Sequence, residues 1–387
     1  MPSLGRDHPV VADLKYASYQ DLPIQPLTEP VPPEVFRGGP VLGTDPLSMS
    51  LRHHRERSVS DGFSEFAIYN NRIDGEWNYA GIVYAHFGHF LAECVHRIIP
   101  TRRIFPCRNW LFVYHHYNDC AVSDFDSLPD YSQEILNFLE IGPHNFKMIH
   151  QNTKVEIANI VQQGSSFVVG PQPGYLRELR DFTDPRLDII PTGRVYVSRT
   201  ALPPGGSYLG EKYLENLLES EGFTVFHPEK YTFKRQMEMY RGSEVIIFAE
   251  GSACHGTELL GEGSLEKTIL LTRRPHLSIS FENILKPRSN EYYQFLDTEY
   301  LGCIISDRGW LGMSIMDWSK LLPFLYETAN VKLEKFRPDE YISAARADLR
   351  EYIEYHRLNS NMADESTVEE LEAAAERAFE RALQGIS

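Results

Sequence analysis

Cysteine is scarce in this chain of 387 residues: Cys94, Cys107, Cys120, Cys254 and Cys303 are spread along it. The number is odd and no C-x-x-C pair occurs, which argues against a disulfide framework or a zinc knuckle and suits a reducing cytoplasm. No apolar run approaches the roughly 20 residues of a membrane-spanning helix. The opening stretch MPSLGRDHPVVADLKYASYQ has no hydrophobic core of a signal peptide. The expectation is a cytoplasmic protein whose membrane association, if any, is peripheral and at the inner face. Positive charge is also short. Lys and Arg number 38 against 54 Asp and Glu, a net charge of −16, which argues against a broad nucleic-acid surface. A local basic pocket for a phosphorylated ligand stays open. Internal repeats and low-complexity tracts are missing too.

What is present is a soluble-protein composition, 42% hydrophobic, on a chain long enough for two or three domains. Residues 1–60 are proline-rich and lack strong periodicity. LPIQPLTEPVPPEVFRGGP reads as an extended arm lying across a domain, not as packed helix or strand. LRHHRERS (51–58) is a basic island, read as a solvated loop. Residues 61–185 alternate between patterns. AGIVYA (80–85), WLFVYHH (110–116), FKMIH and VEIANIV read as strands, with helices at 88–99 and at YSQEILNFLEI (131–141). That is the β-α-β-α-β signature of a parallel sheet.

A Pro- and Gly-rich stretch (170–193) suits a connection plus one helix. Residues 186–310 then alternate again. RVYVSR (194–199), FTVFHP, EVIIFAE (244–250) and EKTILLT (266–272) read as strands. GEKYLENLLESEG (210–222) and TFKRQMEMYRG (232–242) read as helices stopped by Gly222 and Gly242, and SACHGTELLG as a turn and helix. This is a Rossmann-like half. Residues 311–387 show helical spacing, expected to pack back across the domains or to form a homodimer contact.

Two stretches concentrate polar chemistry. In VYAHFGHFLAECVHR (83–97) a helical wheel puts His86, His89, Glu93, His96 and Arg97 on one side. The i, i+3, i+7 spacing of His86, His89 and Glu93 would let them share zinc on one face, yet H-E-x-x-H is absent. In EVIIFAEGSACHGTELL a strand ends at Glu250, Gly251 and Ser252, where open parallel sheets bind ligands. A helix start there would favour a phosphate, with His255 about one turn further on. Arg199, at the end of another strand, could clamp a diphosphate through its planar guanidinium. The D-x-D string at Asp124 and Asp126 lies in a loop rich in turn formers and reads as solvated, so no metal is expected.

These pieces, in order, resemble glycosyltransferase family 61, whose bacterial members make capsular and other surface polysaccharides. The resemblance spans about residues 80–275. It rests on GHF (88–90) followed by Glu93 and Arg97, and on VYVSR ending in Arg199. It rests further on Gly222, Pro228, Glu229 and Gln236 in GFTVFHPEKYTFKRQMEMYRG, and on EGSACHG (250–256). After Arg199 the family often has a second arginine and an Asn-Glu pair. Here Glu211 survives, Gly210 replaces the asparagine, and no second arginine follows.

The resemblance implies a GT-B-like α/β architecture, two Rossmann-like domains facing across a cleft, and an inverting, metal-independent transfer from a nucleotide sugar to a glycan or glycolipid hydroxyl. No cofactor beyond the donor is expected. An inverting transfer needs a base and stabilisation of the leaving diphosphate. His89 is the first choice for the base and Glu93 the second. Arg199, Glu250, Gly251, Ser252, Ala253 and His255 are assigned to the donor, while His86 and Arg97 are expected at the substrate. His96 is given no catalytic part. The competing readings are a non-catalytic nucleotide-sugar or glycan binder on the same fold, and a zinc hydrolase built on the 86–93 histidines. A nucleotide-dependent oxidoreductase or epimerase is disfavoured because VYVSRTALPPGG lacks a G-x-G-x-x-G turn.

Overall fold

The computed structural model describes residues 13–28, 37–43, 63–64, 66–113, 122–167, 169–202, 206–275, 279–305, 311–332, 334–359 and 365–384. The basic island at 51–58 lies outside them. The chain divides into two compact units, Met1–Leu187 with His255–Glu262, and Asp188–Cys254 with Gly263–Ser387. It therefore leaves the second unit after Cys254 and returns to it at Gly263.

The first unit is mixed α/β. Its strands are β1 (Tyr16–Thr28), β2 (Arg37–Pro40), β3 (Asn71–Ile82), β4 (Trp110–Val113), β5 (Phe146–Ile149) and β6 (Thr153–Val161). They form one curled sheet in the order β2-β1-β6-β3-β4-β5. β6, β3, β4 and β5 run parallel, and β1 and β2 join antiparallel. Within the stretch read as an arm, Tyr16–Thr28 and Arg37–Pro40 are thus sheet strands, which corrects the expectation for those residues. The alternation of the first was masked by prolines. Leu22, Ile24 and Leu27 are buried, while Pro26 falls where the β1–β2 register shifts between Gln25 and Thr28. A proline costs little at such a bulge, where no ladder donor is needed. Between the strands lie α1 (Phe87–Glu93), α2 (Ile98–Ile104) and α3 (Asp130–Phe138), and after them two short strands, β7 (Ser165–Ser166) and β8 (Gly170–Pro171), and α4 (Tyr175–Thr183).

The helix expected over 88–99 is broken. α1 ends at Glu93 and a 3-10 turn takes Val95–Arg97 before α2 begins. A 3-10 turn advances about 120° per residue against 100° in an α-helix. The wheel therefore loses its phase after residue 93.

The second unit carries β9 (Gly193–Val197), α5 (Glu211–Ser220), β10 (Thr224–Phe226), α6 (Phe233–Gly242), β11 (Ser243–Ala249) and β12 (Leu265–Leu271). A further helix, α7 (Ile279–Leu285), and β13 (Ser289–Phe295) complete an all-parallel sheet in the order β10-β9-β11-β12-β13. This is the doubly wound order in which the strand sequence reverses beside the first strand, leaving a crevice beyond the carboxyl ends of β9 and β11. A ribbon of β14 (Thr298–Gly302) and β15 (Met313–Met316) follows, then α8 (Trp318–Ala329), α9 (Pro338–Asn359) and α10 (Glu365–Ala382).

These last helices belong to the core of the second unit. Leu349, Tyr352, Leu371, Ala375 and Phe379 join Leu214, Leu217 and Ile247 in one buried cluster. Trp318 stacks on Phe336 at 4.5 Å between ring centroids, and Tyr341 packs on Trp318 at 4.8 Å. Among the described residues no helix is long and apolar enough to cross a membrane, and Cys94, Cys107, Cys254 and Cys303 are free thiols.

Gly210, at the start of α5, explains its own identity. Its φ is +79°, and a Cβ there would lie 2.4 Å from the Tyr341 ring. Its N–H donates to Asp348 Oδ2 at 2.7 Å, so α9 supplies the cap for α5. Gly210→Ala meets both backbone strain and a clash, and is expected to cost about 2 kcal/mol or more. Gly222→Ala, at φ +87° with nothing within 4 Å, should cost about 1 kcal/mol. Urea unfolding of the two variants checks this, and equal losses would refute the role given to Tyr341.

Candidate active site

In the first unit, the candidate residues gather where the chain leaves β3. Val83 N–H still donates to Val113 O at 3.1 Å, extending the parallel pairing. His86 then turns extended and caps α1, its Nδ1 accepting from His89 N at 3.4 Å. One turn on, His89 Nδ1 lies 2.5 Å from Glu93 Oε1. The His89 side chain is 43% exposed and that of Glu93 only 1%. A buried ionised carboxylate is acceptor-only, so His89 carries its proton on Nδ1 and leaves Nε2 as an acceptor. Tyr84 and Phe167 flank the imidazole, at 5.6 and 6.4 Å between centroids.

His255 belongs to the same unit. Its side chain is almost buried, with Nδ1 3.1 Å from Glu258 Oε1. A Cβ on Gly88 would lie 3.0 Å from His255 Nε2 and 3.4 Å from His86 Cε1. The glycine of GHF is therefore the gap through which His255 approaches α1. His86, His89 and His255 form one cluster. Desolvation first, then the neighbouring imidazoles of His89 and His255, push His86 down to about 4, although the residue as a whole is exposed.

Arg97 is not on that surface. It is completely buried, donates to Val161 O at 2.9 Å and stacks over Tyr79 at 5.2 Å. His96 is buried as well, between Glu258 and Tyr175. Asp124 and Asp126 are exposed in a loop. The Asp124 carboxylate is held by Ser123 and Ser127, which lowers its pKa. Among the described residues no three His, Cys, Asp or Glu are grouped to hold a metal ion.

In the second unit, Arg199 and Gly251 meet at the ends of β9 and β11. A Cβ on Gly251 would fall 1.7 Å from Arg199 Nη1, so the glycine leaves room for the guanidinium. Arg199 Nε is buried without a hydrogen-bond partner, and Nη2 donates to Gly206 O at 3.2 Å. Glu211 fixes the backbone here: Oε1 accepts from Arg199 N at 2.9 Å and Oε2 from Ser207 Oγ at 2.7 Å. Glu215, equally buried, accepts from Thr200 Oγ1 at 2.5 Å and from Ser198.

Glu250 is fully buried. Its Oε2 accepts from the backbone N–H groups of Arg273 and Arg274 at 2.8 and 2.9 Å, and Oε1 from Arg274 Nε at 2.8 Å. Ser252 and Ala253 are partly exposed. The helix expected after them is a six-residue 3-10 turn, Ser252–Thr257. A turn this short adds little dipole, and the positive charge comes instead from side chains. Burial, and then Arg199 and Arg274 nearby, push Arg273 down to about 10.

Glu250 thus holds the Arg274 guanidinium and the Arg273 backbone, and Arg199 adds its charge near Arg273. Arg273 and Arg274 were missed in the sequence, although an Arg-Arg pair directly after EKTILLT, at the carboxyl end of a parallel strand, was a legible signal. Beside Arg199 a cavity of about 350 Å³ opens, in the size range of small-ligand sites. Lys212, His227 and Lys230 line it with Asp348 and Glu351. Burial is the main cause that raises Asp348 to about 6.

The displaced titration of His86 gives a signed prediction. Between about 4 and its ordinary 6.5, the unfolded chain binds a proton that the folded chain refuses. Stability is therefore lost as pH falls from about 6.5 toward 4. His86→Asn keeps a capping side chain and removes the titration. The drop in melting temperature from about pH 7 to about pH 5 should be smaller in that variant than in the parent; equal drops would contradict the assignment.

Comparison with known proteins adds one match. The family described as Glycosyltransferase 61 matches residues 87–264, a span that holds His89, Glu93, Arg199 and the Glu250–His255 segment but stops short of Arg273. No curated protein matches the chain. Residues 87–264, from the first turn of α1 to the entry of β12, are thus similar to the glycosyltransferase 61 family.

Proposed function

We propose that the chain is an inverting glycosyltransferase that moves a sugar from a nucleotide-sugar donor to a hydroxyl of a glycan or glycolipid. The family match supports a glycosyltransferase in general. The observation that carries the rest is the His89–Glu93 dyad, an accessible imidazole whose Nδ1–H is held by a buried carboxylate. His89 Nε2 takes the proton of the acceptor hydroxyl as that oxygen attacks the anomeric carbon. The bond from the anomeric carbon to the diphosphate oxygen breaks, and the diphosphate leaves with the bonding pair. Glu93 steadies the imidazolium formed, as a carboxylate behind a catalytic histidine does. This gives Glu93 an orienting part rather than that of a rival base.

The second unit suits the donor. Its doubly wound sheet ends in a crevice where Arg199, Arg273 and Arg274 outnumber the single Glu250, and their charge would oppose that building on the leaving diphosphate. Arg273 and Arg274 supply the cation that the segment after Arg199 lacks. In this reading the two units are the halves of a GT-B-like enzyme, acceptor in the first and nucleotide sugar in the second. Transfer is metal-independent and serves surface polysaccharide synthesis in the cytoplasm, at the inner face of the membrane.

A thermal-shift panel of UDP-, GDP-, CMP- and TDP-sugars should identify the donor, because a ligand of the folded state raises its melting temperature. With that donor, His89→Ala should lower turnover by about 10²- to 10⁴-fold while keeping the thermal shift. Turnover at the parent rate would sink the base assignment, and donor binding by the parent with neither transfer nor hydrolysis would mark a binding protein instead. Arg199→Ala and Arg274→Ala should each weaken nucleoside-diphosphate binding by about 1.5–3 kcal/mol, the range for a charged hydrogen bond. Unchanged affinity in both, by calorimetry, would remove the diphosphate from this crevice.

A further inference from the structure

The cavity of about 350 Å³ beside Arg199 in the second unit is lined by charges of both signs. The turns after β9 and β10 and the first turn of α5 bring Arg199, His227, Lys230 and Lys212 to it, while α9 brings Asp348 and Glu351. Tyr208, Met313 and Tyr352 form its buried part. Asp348 and Glu351 stand three residues apart on α9, so their side chains share one face.

A sheet of this doubly wound order commonly holds the ribose of a nucleotide through an acidic side chain. The carboxylates nearest the strand ends are already engaged. Glu250 accepts from the backbone N–H groups of Arg273 and Arg274 and from Arg274 Nε. Glu211 accepts at Oε1 from Arg199 N and Tyr196 Oη, at 2.9 and 3.2 Å, and at Oε2 from Ser207 Oγ. Glu215 is fully buried and accepts from Lys212, Ser198 and Thr200. β10 is followed by an imidazole, His227. The pair on α9 is placed differently. Asp348 accepts from the backbone N–H groups of Gly210, at 2.7 Å, and of Glu211. A carboxylate offers about four acceptor positions, so capacity remains. Glu351 is exposed.

The charges select the occupant. Burial first, then the charges of Glu211 and Glu351, raise Asp348 to about 6, so an anion is repelled at α9 and a neutral O–H donor relieves it. Arg199, Lys212 and Lys230 in the same lining disfavour a bound cation and suit an anion on their side. One ligand with a pair of neutral hydroxyls at one end and phosphate at the other meets both demands. We propose that Asp348 and Glu351 bind the vicinal 2′- and 3′-hydroxyls of a ribonucleoside diphosphate in this cavity, with the diphosphate toward Arg199, which makes α9 a specificity-determining element of the donor site. That this ligand is the donor's nucleotide rests on the transferase reading. The helix itself lies beyond the matched residues 87–264.

Calorimetry on the full chain with UDP, GDP and CDP, and with the 2′-deoxy and 3′-deoxy forms of each, tests the proposal. The tightest ribonucleotide should bind about ten- to a hundred-fold more tightly than either of its deoxy forms, the range for a hydrogen bond to a charged group. Glu351→Ala changes an exposed side chain, and Asp348→Asn keeps an acceptor oxygen for the Gly210 N–H. Each should bring at least one of the two ratios close to one. Should Asp348→Asn fail to fold, Glu351→Ala decides alone. Parent ratios near one, or unchanged ratios in either folded variant, overturn the proposal. If Arg199→Ala still weakens the diphosphate in that event, the donor reading of the second unit stands without it. A parent that binds none of the diphosphates overturns both.

Discussion

A carboxylate removed from water must find hydrogen-bond donors or lose its charge, because burial of an unpaired ion costs several kcal/mol. Five glutamates of this protein meet that condition at the candidate site. Glu93 holds His89, Glu258 bridges His255 and His96, and Glu250 gathers Arg273 and Arg274. Glu211 and Glu215 tie down the residues around Arg199. The partners of Glu250, Glu211 and Glu215 come from segments that have just left a strand, where backbone donors and acceptors have lost their ladder. The same pairing that makes the glutamate tolerable gives its partner a fixed direction. Stability and preorganisation are here one set of hydrogen bonds, so a change from Glu to Gln at any of these positions alters orientation before it alters packing.

The segment EGSACHG shows how the chain uses this constraint. Glu250 to Cys254 belong to the second unit and His255 to Glu262 to the first. The nine residues from Glu250 to Glu258 thus carry one anchor into each unit, Glu250 for the arginines and Glu258, three residues past the histidine, for the imidazoles.

Much of the second unit was legible. Gly222 ends α5 and the apolar stripe of Tyr213, Leu214, Leu217 and Leu218 is its buried face, because local period and a stop residue suffice for a helix on a sheet. The positions of Arg199 and Gly251 at strand ends followed from the same pattern. The first unit was harder to read. Pro23 and Pro26 hid the alternation of β1, and the wheel over residues 83–97 ran through a break at Cys94. Beyond that break it put Arg97 on the polar side, whereas the fold buries it. His96 was set aside because its partner, Glu258, is 162 residues away. Arg273 and Arg274 were overlooked because they follow a strand that the sequence treated as the end of the alternating block. Contacts of that range are set by packing and leave no mark in local period.

In the proposed donor role, the arginine crevice also has to work against the chain's own charge. A net −16 gives a long-range field that repels a nucleoside diphosphate. Salt screens that field over about 8 Å under physiological conditions, whereas charges in a partly buried crevice are screened much less. An anion at Arg199, Arg273 and Arg274 therefore feels mainly the guanidiniums within a few ångströms. Such a site would draw its selectivity from direct hydrogen bonds and not from steering. The glycine at position 251 has its own reason: any side chain there would occupy the place of the Arg199 guanidinium.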